Sequence, residues 1–212
     1  TEVDTLSLHD ALPISIIEQD PTLKIPVYVD SPMGNEVLKV FSRFMSWHKL
    51  NTEEFKKMKK CFRIITLYKD TWKVIEDDQP KVIIAGSGMV TGGRVLSYLR
   101  FYFERPETTV LLVGFQAEGT RGRQLQEGVA EVKIFGKYLK VRAEVTCVNS
   151  LSAHADQTEL IAWLRELKKE PQRTFLIHGE KKASDVLRVK IKDHYGCHAE
   201  IPELGQVVTV EV

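Results

Sequence analysis

Two histidine segments in the last third of the chain carry the residues best suited to chemistry. His154 lies in Leu-Ser-Ala-His-Ala-Asp (151–156), and His178 lies in Phe-Leu-Ile-His-Gly-Glu (175–180). Each histidine ends or follows an apolar run typical of a buried strand, and an imidazole held rigidly there can bind a metal or transfer a proton. The pattern also fits a buried, hydrogen-bonded His178 and a helix cap at Asp156.

A glycine-rich stretch, residues 84–94, is a second candidate site. Its sequence, Ile-Ala-Gly-Ser-Gly-Met-Val-Thr-Gly-Gly-Arg, follows a predicted strand and opens a predicted helix. Backbone N–H groups at such a turn can bind a phosphate, which makes Ser87 and Gly88 candidate phosphate contacts. The Gly-Lys-Ser/Thr ending of a P-loop is absent, and tight turn geometry explains these glycines equally well.

Strand and helix signals alternate through the first half of the chain. A β-branched run at 25–29 is followed by helical apolar spacing over 37–45, and Thr-Glu-Glu-Phe at 52–55 resembles a capping box. Apolar runs at 81–85 and 109–113 predict fully buried parallel strands. A helix over 93–104 between them would complete a βαβ unit.

The pattern changes after Gly128. Residues 132–135 and 139–148 predict an antiparallel hairpin that turns at Gly136. The remaining predicted elements are a helix over 156–168, a strand over 173–177, a helix over 183–194 that Glu180 would cap, and strands near 197–201 and 206–210. The domain boundary is predicted between Gly119 and Gly128.

Composition sets loose bounds on the class of protein. The chain has 212 residues, is 43% hydrophobic and 28% charged, and carries a formal charge of +1, so nucleic-acid binding would need a local basic patch. No apolar run approaches the roughly 20 residues of a membrane helix, so no membrane partner is expected. Three cysteines without CxxC spacing indicate reduced thiols and a cytoplasmic location.

The first 15 residues fit no pattern found in the rest of the chain. Residues 4–15, Asp-Thr-Leu-Ser-Leu-His-Asp-Ala-Leu-Pro-Ile-Ser, resemble one translated frame of a common sequencing adapter. We interpret 1–15 as a non-native artefact fused to a truncated gene, and a genuine N-terminal arm is the alternative. The nucleotides that encode these residues would distinguish the two.

Several motifs in order resemble the β-CASP branch of the metallo-β-lactamase-fold nucleases. The resemblance covers almost everything from residue 25 to residue 212. It rests on five segments: Ile-Pro-Val-Tyr-Val-Asp-Ser-Pro (25–32), the glycine-rich stretch, Val-Gly-Phe-Gln-Ala-Glu-Gly-Thr-Arg-Gly-Arg (113–123), Ser-Ala-His-Ala-Asp (152–156), which resembles motif B, and His-Gly-Glu (178–180), which resembles motif C.

The resemblance implies an α/β fold in two parts. Residues 16–120 would form an N-terminally truncated β-CASP cap, and residues 121–212 the C-terminal segment of a metallo-β-lactamase αββα core. The family's HxHxDH cluster and its acidic motif A are absent from this sequence. The chain is therefore expected to be a fragment that exposes apolar surface, aggregates readily and is inactive alone.

The resemblance also implies a function, namely zinc-dependent cleavage of RNA. His178 would be a zinc ligand in a parent enzyme that holds two zinc ions, and His154 would donate a hydrogen bond or a proton at the scissile phosphate. Ser152 could donate its hydroxyl to a phosphate oxygen. Candidate contacts to the RNA backbone are three arginines, each of which fits a solvated surface charge as well: Arg94, Arg121 and Arg123.

Two other functions fit the same residues. The chain could be a non-catalytic RNA-binding or scaffolding module of this fold, although a degenerate site has no chemical need of both histidines. A metallo-hydrolase with a substrate other than nucleic acid is the third candidate, which the cap-like segments disfavour. A homodimer remains a candidate assembly, and the sequence does not distinguish RNA from DNA as the substrate.

Overall fold

A computed structural model describes residues 25–47, 51–148 and 154–209 of the chain. The chain divides into two compact units, Thr1–Ala153 and His154–Val212. Within the described residues no helix is long and apolar enough to cross a membrane. The predicted artefact at 1–15 and Ser152 lie outside the described residues.

The first unit is a mixed α/β structure. Its strands are β1 Val27–Asp30, β2 Phe62–Ile64, β3 Val82–Ala85, β4 Thr109–Val113, β5 Glu131–Ile134, β6 Lys137–Lys140 and β7 Glu144–Val148. Its α-helices are α1 Pro32–Arg43, α2 Thr52–Cys61, α3 Tyr68–Glu76, α4 Val95–Tyr102 and α5 Arg121–Gln126, with a 3-10 turn at Met45–Trp47. These elements confirm the predicted alternation of strands and helices.

Strand β1 is the centre of a three-stranded parallel sheet in the order β2-β1-β3. Alternate side chains of a strand point to opposite faces. Val27 and Val29 therefore pack with α1 and α2 in one apolar cluster, whereas Tyr28 packs with α3 and α4 in another. Because both faces are covered, all four residues of β1 are buried and Asp30 must be satisfied inside the protein.

The third apolar cluster of the first unit surrounds the fully buried Phe103, which follows α4. Strand β4 pairs in parallel with β7, and β5 pairs with β6 in an antiparallel hairpin that turns at Phe135 and Gly136. The backbone carbonyl of Phe103 accepts hydrogen bonds from the N–H groups of Arg142 and Ala143 at 2.8 and 2.9 Å. This contact turns the chain away from the hairpin and into β7.

The second unit comprises helix α6 Gln157–Arg165, strand β8 Thr174–Phe175, helix α7 Lys181–Tyr195 and strand β9 Ala199–Glu200. The two strands pair in parallel, and their sheet packs with the helices around Ile161, Ile191 and Ala199. Asp156 caps α6, since its carboxylate accepts from the Glu159 N–H at 2.8 Å and the Glu159 carboxylate accepts from the Asp156 N–H at 2.8 Å. The predicted cap at Asp156 is confirmed.

Two predictions about the strands of the first unit are wrong. Strands β3 and β4 were expected in one βαβ unit, yet β3 pairs with β1 and β4 pairs with β7, and neither strand is fully buried. The predicted strand 139–148 is divided, because the two N–H groups after Val141 donate to Phe103 rather than to a neighbouring strand.

Smaller differences concern the ends of elements. The capping box of α2 is formed by Asn51 with Glu54, one residue before the predicted start at Thr52. The strand predicted at 173–177 is limited to β8, and residues 206–209 are not in a strand. Glu180 occupies the N-cap position of α7 without a side-chain cap hydrogen bond. The division into compact units falls after Ala153, because β7 joins the first unit by its pairing with β4.

Candidate functional site

Asp30, the last residue of β1, carries a fully buried carboxylate. It accepts hydrogen bonds from the hydroxyl of Thr71 on α3 at 2.7 Å and from the hydroxyl of Tyr98 on α4 at 2.6 Å. It also forms an ion pair with Arg94, whose side chain is only 13% exposed. A buried charge is tolerated when it is paired and hydrogen-bonded, and Asp30 meets both conditions.

Arg94 connects this carboxylate to the loop before α3. Its guanidinium donates to the backbone carbonyls of Thr66 at 2.9 Å and Ile65 at 3.4 Å. It also lies over the ring of Tyr68, with 5.9 Å between the guanidinium carbon and the ring centroid. Arg94 is the residue that ends the glycine-rich stretch, so the position of that stretch is tied to the end of β1.

The Tyr98 hydroxyl is held in its protonated form. Burial raises the pKa of Tyr98 well above its usual range, and the hydrogen bond to Asp30 raises it further. At neutral pH the phenol therefore acts as a hydrogen-bond donor to the carboxylate rather than as an acid.

The glycine-rich loop, residues 86–93, forms a tight excursion between β3 and α4. The N–H of Val95 donates to the carbonyl of Gly86 at 3.2 Å, which closes the loop. Gly93 has a φ of +73°, and a Cβ placed there would lie 2.6 Å from the Gly86 carbonyl oxygen. A side chain at position 93 would therefore be both strained and in collision with the backbone.

The loop lies beside the first turn of α1. The Ser31 hydroxyl accepts from the Gly34 N–H at 3.1 Å and caps the helix. A Cβ on Gly86 would lie 3.2 Å from that same hydroxyl oxygen, so a side chain there would require the Ser31 hydroxyl to shift by a few tenths of an ångström. The positive end of a helix dipole and a glycine-rich backbone are thus placed side by side, an arrangement that suits an anion.

Residues of α5 and the segment before it brace the other side of the loop. Arg121 donates to the carbonyls of Val90 at 3.3 Å and Thr91 at 3.2 Å, and to that of Lys133 at 2.7 Å. The buried Gln116 donates to the carbonyl of Gly88 at 3.0 Å. Arg121 was predicted to contact RNA. In the structure its guanidinium donates hydrogen bonds to the protein's own backbone carbonyls.

The structure brings most of the residues predicted in the first unit to this loop. The Ser87 and Thr91 hydroxyls share a hydrogen bond of 3.1 Å, and Gly88 is exposed at the tip. Arg123 lies on α5, 3.5 Å from a carboxylate oxygen of Glu127 and over the ring of Phe115.

His154 and His178 both lie in the second unit and are exposed. His154 comes two residues before the cap of α6. His178 lies between β8 and α7 with a φ of +70°, a left-handed conformation that is uncommon for residues other than glycine and clusters at functional sites. The expectation that His178 ends a fully buried strand is wrong, because β8 stops at Phe175 and Ile177 is 70% exposed.

A metal site is not completed by the part of the chain that the structure describes. No group of three or more His, Cys, Asp or Glu side chains there is arranged to hold an ion. Zinc sites in proteins use three or four protein ligands, so His178 could supply one of them at most. The described residues therefore do not fit a self-sufficient zinc centre.

Sequence reasoning missed the cluster of Asp30, Thr71 and Tyr98. Arg94 was interpreted only as a surface charge or an RNA contact. The available signal was an acidic residue directly after a buried strand, because a carboxylate there needs a cation and hydroxyl donors.

Asp30→Ala should lower the free energy of unfolding by about 3–5 kcal/mol, because it leaves the Arg94 guanidinium buried without its counter-ion. Urea denaturation followed by circular dichroism would measure the change. Asp78→Ala is the matched control, since its pair with Arg105 is exposed, and it should leave the midpoint near wild type. The double variant Asp30→Ala/Arg94→Met should recover part of the loss, and equal losses in the single and double variants would contradict the ion-pair account.

Gly93→Ala should destabilise the first unit by about 1–3 kcal/mol through backbone strain and contact with Gly86. Gly92→Ala, one residue earlier, meets nothing within 4 Å and should change stability little. Thermal melts of the two variants would measure the change in the melting midpoint. Equal shifts in both variants would contradict the strain and backbone contact assigned to position 93.

The chain matches two family models in succession. The Beta-Casp domain model matches residues 12–125, and the model of the Zn-dependent metallo-hydrolase RNA specificity domain matches residues 138–202. The first match covers more than half of the chain and begins within the stretch 1–15 that the sequence analysis set aside.

Curated relatives include archaeal and bacterial proteins. Transcription termination factor FttA of Methanosarcina mazei is 37% identical over 131 residues, which are 59% of this chain and 21% of the relative. Transcription termination factor FttA of Pyrococcus abyssi is 29% identical over 189 residues, 84% of this chain and 29% of the relative. Ribonuclease TTHA0252 of Thermus thermophilus is 32% identical over 169 residues, 74% of this chain and 37% of the relative.

The chain thus spans between about a fifth and somewhat over a third of the length of these relatives. The matched domains agree with the mixed α/β architecture. On these grounds the chain belongs to the β-CASP family of metallo-β-lactamase-fold nucleases.

Proposed function

We propose that this chain is the RNA-contacting part of a zinc-dependent ribonuclease that acts in RNA processing or degradation. The observation that carries the proposal is the match of a Beta-Casp domain followed by an RNA specificity domain on one chain, with a relative named as a ribonuclease that aligns over 74% of it. RNA is the proposed partner, and the cytoplasm the proposed location.

The glycine-rich loop is the proposed phosphate contact of the first unit. The exposed Gly88 and the half-buried Ser87 present a short polar backbone next to the capped end of α1. Arg94 and Arg121 hold this loop from both sides and act as positioning residues, because their donors bond to Asp30 and to backbone carbonyls. Arg123, which lies 3.5 Å from a Glu127 carboxylate oxygen and over the Phe115 ring, stays a proposed contact to an RNA phosphate by the family resemblance.

The histidines supply the proposed chemistry of the second unit. His178 would offer a neutral imidazole nitrogen to zinc, and bound zinc would polarise a phosphate oxygen or a water molecule. His154, with Ser152, would donate to the scissile phosphate or the leaving oxygen. Since the described residues do not complete a metal site, the 212-residue chain alone is proposed to bind RNA without cleaving it.

A non-catalytic RNA-binding or scaffolding module is the second candidate function. It is favoured by the lack of a metal-ligand cluster among the described residues. The two candidates differ in the segment that precedes the family match: an HxHxDH cluster encoded upstream supports the nuclease, and an upstream segment without it supports the module. Joining the upstream coding sequence to this chain and assaying the product with zinc would test both.

The purified chain should show no zinc-dependent cleavage of a 5′-labelled single-stranded RNA while still retarding that RNA in a gel. The reason is that one histidine ligand cannot hold a catalytic zinc ion with an open position. Sustained cleavage that requires zinc and disappears in His154→Ala would contradict the proposed inactivity.

Arg123→Gln should weaken RNA binding by less than about tenfold and reduce the salt slope by about 0.7, as expected when one phosphate contact is lost. Fluorescence anisotropy with labelled single-stranded RNA across a salt series measures both quantities. Lys57→Gln removes the same charge from the exposed face of α2 and should change neither. Equal effects of the two substitutions would mean that only net charge matters.

A further inference from the structure

Consecutive carbonyls of the glycine-rich loop all accept hydrogen bonds from one short stretch of chain between β4 and the start of α5. This stretch, residues 116–122, is called the bracing segment below. The Gln116 side-chain amide donates to the carbonyl of residue 88 at 3.0 Å, and the Gly122 N–H donates to that of residue 89 at 3.0 Å. The Arg121 guanidinium donates to the next two carbonyls, at 3.3 and 3.2 Å. The carbonyls of residues 88–91 therefore all face the bracing segment.

The direction of these carbonyls fixes the direction of the N–H groups. The peptide bonds from residue 88 to residue 92 are trans, and in a trans peptide the carbonyl of one residue and the N–H of the next point in opposite directions. The N–H groups of residues 89–92 thus point away from their bracing donors. Val90 uses its N–H inside the loop, on the carbonyl of Ser87 at 3.1 Å.

Three N–H groups remain on the side of the loop away from the brace, those of Met89, Thr91 and Gly92. Within the part of the chain that the structure describes, none of the three donates to a backbone carbonyl. Successive N–H groups that point out of a loop form a set of donors that suits an anion. If the carbonyls faced outwards instead, the same loop would present acceptors and repel a phosphate. The bracing segment therefore sets the polarity of the loop.

Gln116 is the buried side chain of the bracing segment, with 1% of its surface exposed. Its Nε2 lies 3.0 Å from the Gly88 oxygen and 3.3 Å from the Gly114 oxygen, and two acceptors on one side require the amide to turn its NH₂ group towards them. The Gln116 Oε1 is then left without a hydrogen-bond partner among the described residues. It lies against Gly122, where an added Cβ would overlap it, so a side chain at position 122 would displace the amide.

Stability alone does not account for a glutamine at this position. A buried acceptor without a partner destabilises the folded chain, whereas an apolar side chain of similar length would fill the space without that loss. The NH₂ group of Gln116 is the part that acts on the loop, because it holds the Gly88 carbonyl towards the bracing segment.

We propose that Gln116 is a positioning residue for RNA binding, which turns the Met89 N–H towards an RNA phosphate by holding the Gly88 carbonyl on the opposite side of the loop. Arg121 and Gly122 keep the following peptides in the same orientation. The inference rests on the proposed function of the loop as a phosphate contact. It assigns that contact to the N–H groups of Met89, Thr91 and Gly92.

Gln116→Met removes the NH₂ donor and the unpartnered acceptor together while nearly conserving the side-chain length. The melting midpoint should therefore stay within about 3 °C of the wild type. The dissociation constant for labelled oligouridine should rise about fivefold or more, because a hydrogen bond to the phosphate is lost. Circular dichroism melts and fluorescence anisotropy measure the two quantities. Gln126→Met, the same change at an exposed glutamine of α5, is the matched control and should alter neither. An unchanged dissociation constant in Gln116→Met would overturn the proposal.

Gly122→Ala tests the same contact without changing the glutamine. Its methyl group would displace the Gln116 amide, so it should raise the dissociation constant by a similar factor. The double variant Gln116→Met/Gly122→Ala should bind RNA no more weakly than the weaker single variant, because both changes remove one contact. Losses of affinity that multiply in the double variant would contradict the shared mechanism.

Amide NMR of the full 212-residue chain separates this inference from the proposed function. In the wild type, oligouridine should shift the amide resonances of Met89, Thr91 and Gly92 and leave that of Val90 nearly in place, since its N–H is already bonded. In Gln116→Met the Met89 amide should be displaced even without RNA. No RNA binding by the wild type would overturn the proposed function and this inference with it. Binding that leaves the three loop amides in place would overturn this inference alone.

Discussion

A single buried carboxylate sets the geometry of the first unit. Asp30 ends a strand that is covered on both faces, so its charge must be met by protein donors. Those donors come from α3, from α4 and from the end of the glycine-rich loop. Thr71 and the segment from Arg94 to Tyr98, both distant from Asp30 in the sequence, are thereby fixed to one point. The loop that we assign to phosphate binding is positioned by that constraint.

Two of the arginines around the loop have a structural role. Arg94 and Arg121 give their donors to a carboxylate and to backbone carbonyls, so their charge serves the shape of the loop. The left-handed turn of the loop at Gly93 requires a glycine, and the loop approaches Ser31 closely at Gly86. The positive charges of Arg94 and Arg121 therefore help to hold the loop in its conformation.

Much of the fold could be predicted from the sequence, because most helices and strands carry their own signal. The periodicity of α1 and the cap at Asp156 are local features, and both agree with the structure. The partners of β3 and β4 could not be predicted, since apolar runs identify strands but not the strand with which each one pairs. The role of Arg94 was missed for the same reason: its partner Asp30 is 64 residues away.

The same distinction between local and long-range features applies to the candidate site. Ser87, Gly88 and Arg94 were predicted as candidates because the glycine spacing around them is visible locally, and the structure gathers most of the candidates of the first unit at that loop. The left-handed backbone of His178 left no trace in the sequence, because nothing about a histidine after an apolar run indicates a positive φ. The proposed role of that position comes from the family resemblance, and its conformation comes from the structure.

The conformation of His178 has a consequence for how the position tolerates change. With the zinc role that we propose, two separate requirements coincide there, an imidazole and a backbone that glycine or asparagine adopts most easily. Asparagine would relieve the strain while removing the imidazole, and alanine would remove the imidazole while keeping the strain. Loss of function in an alanine scan would therefore not by itself identify a ligand, whereas the contrast between asparagine and alanine separates chemistry from geometry at this position.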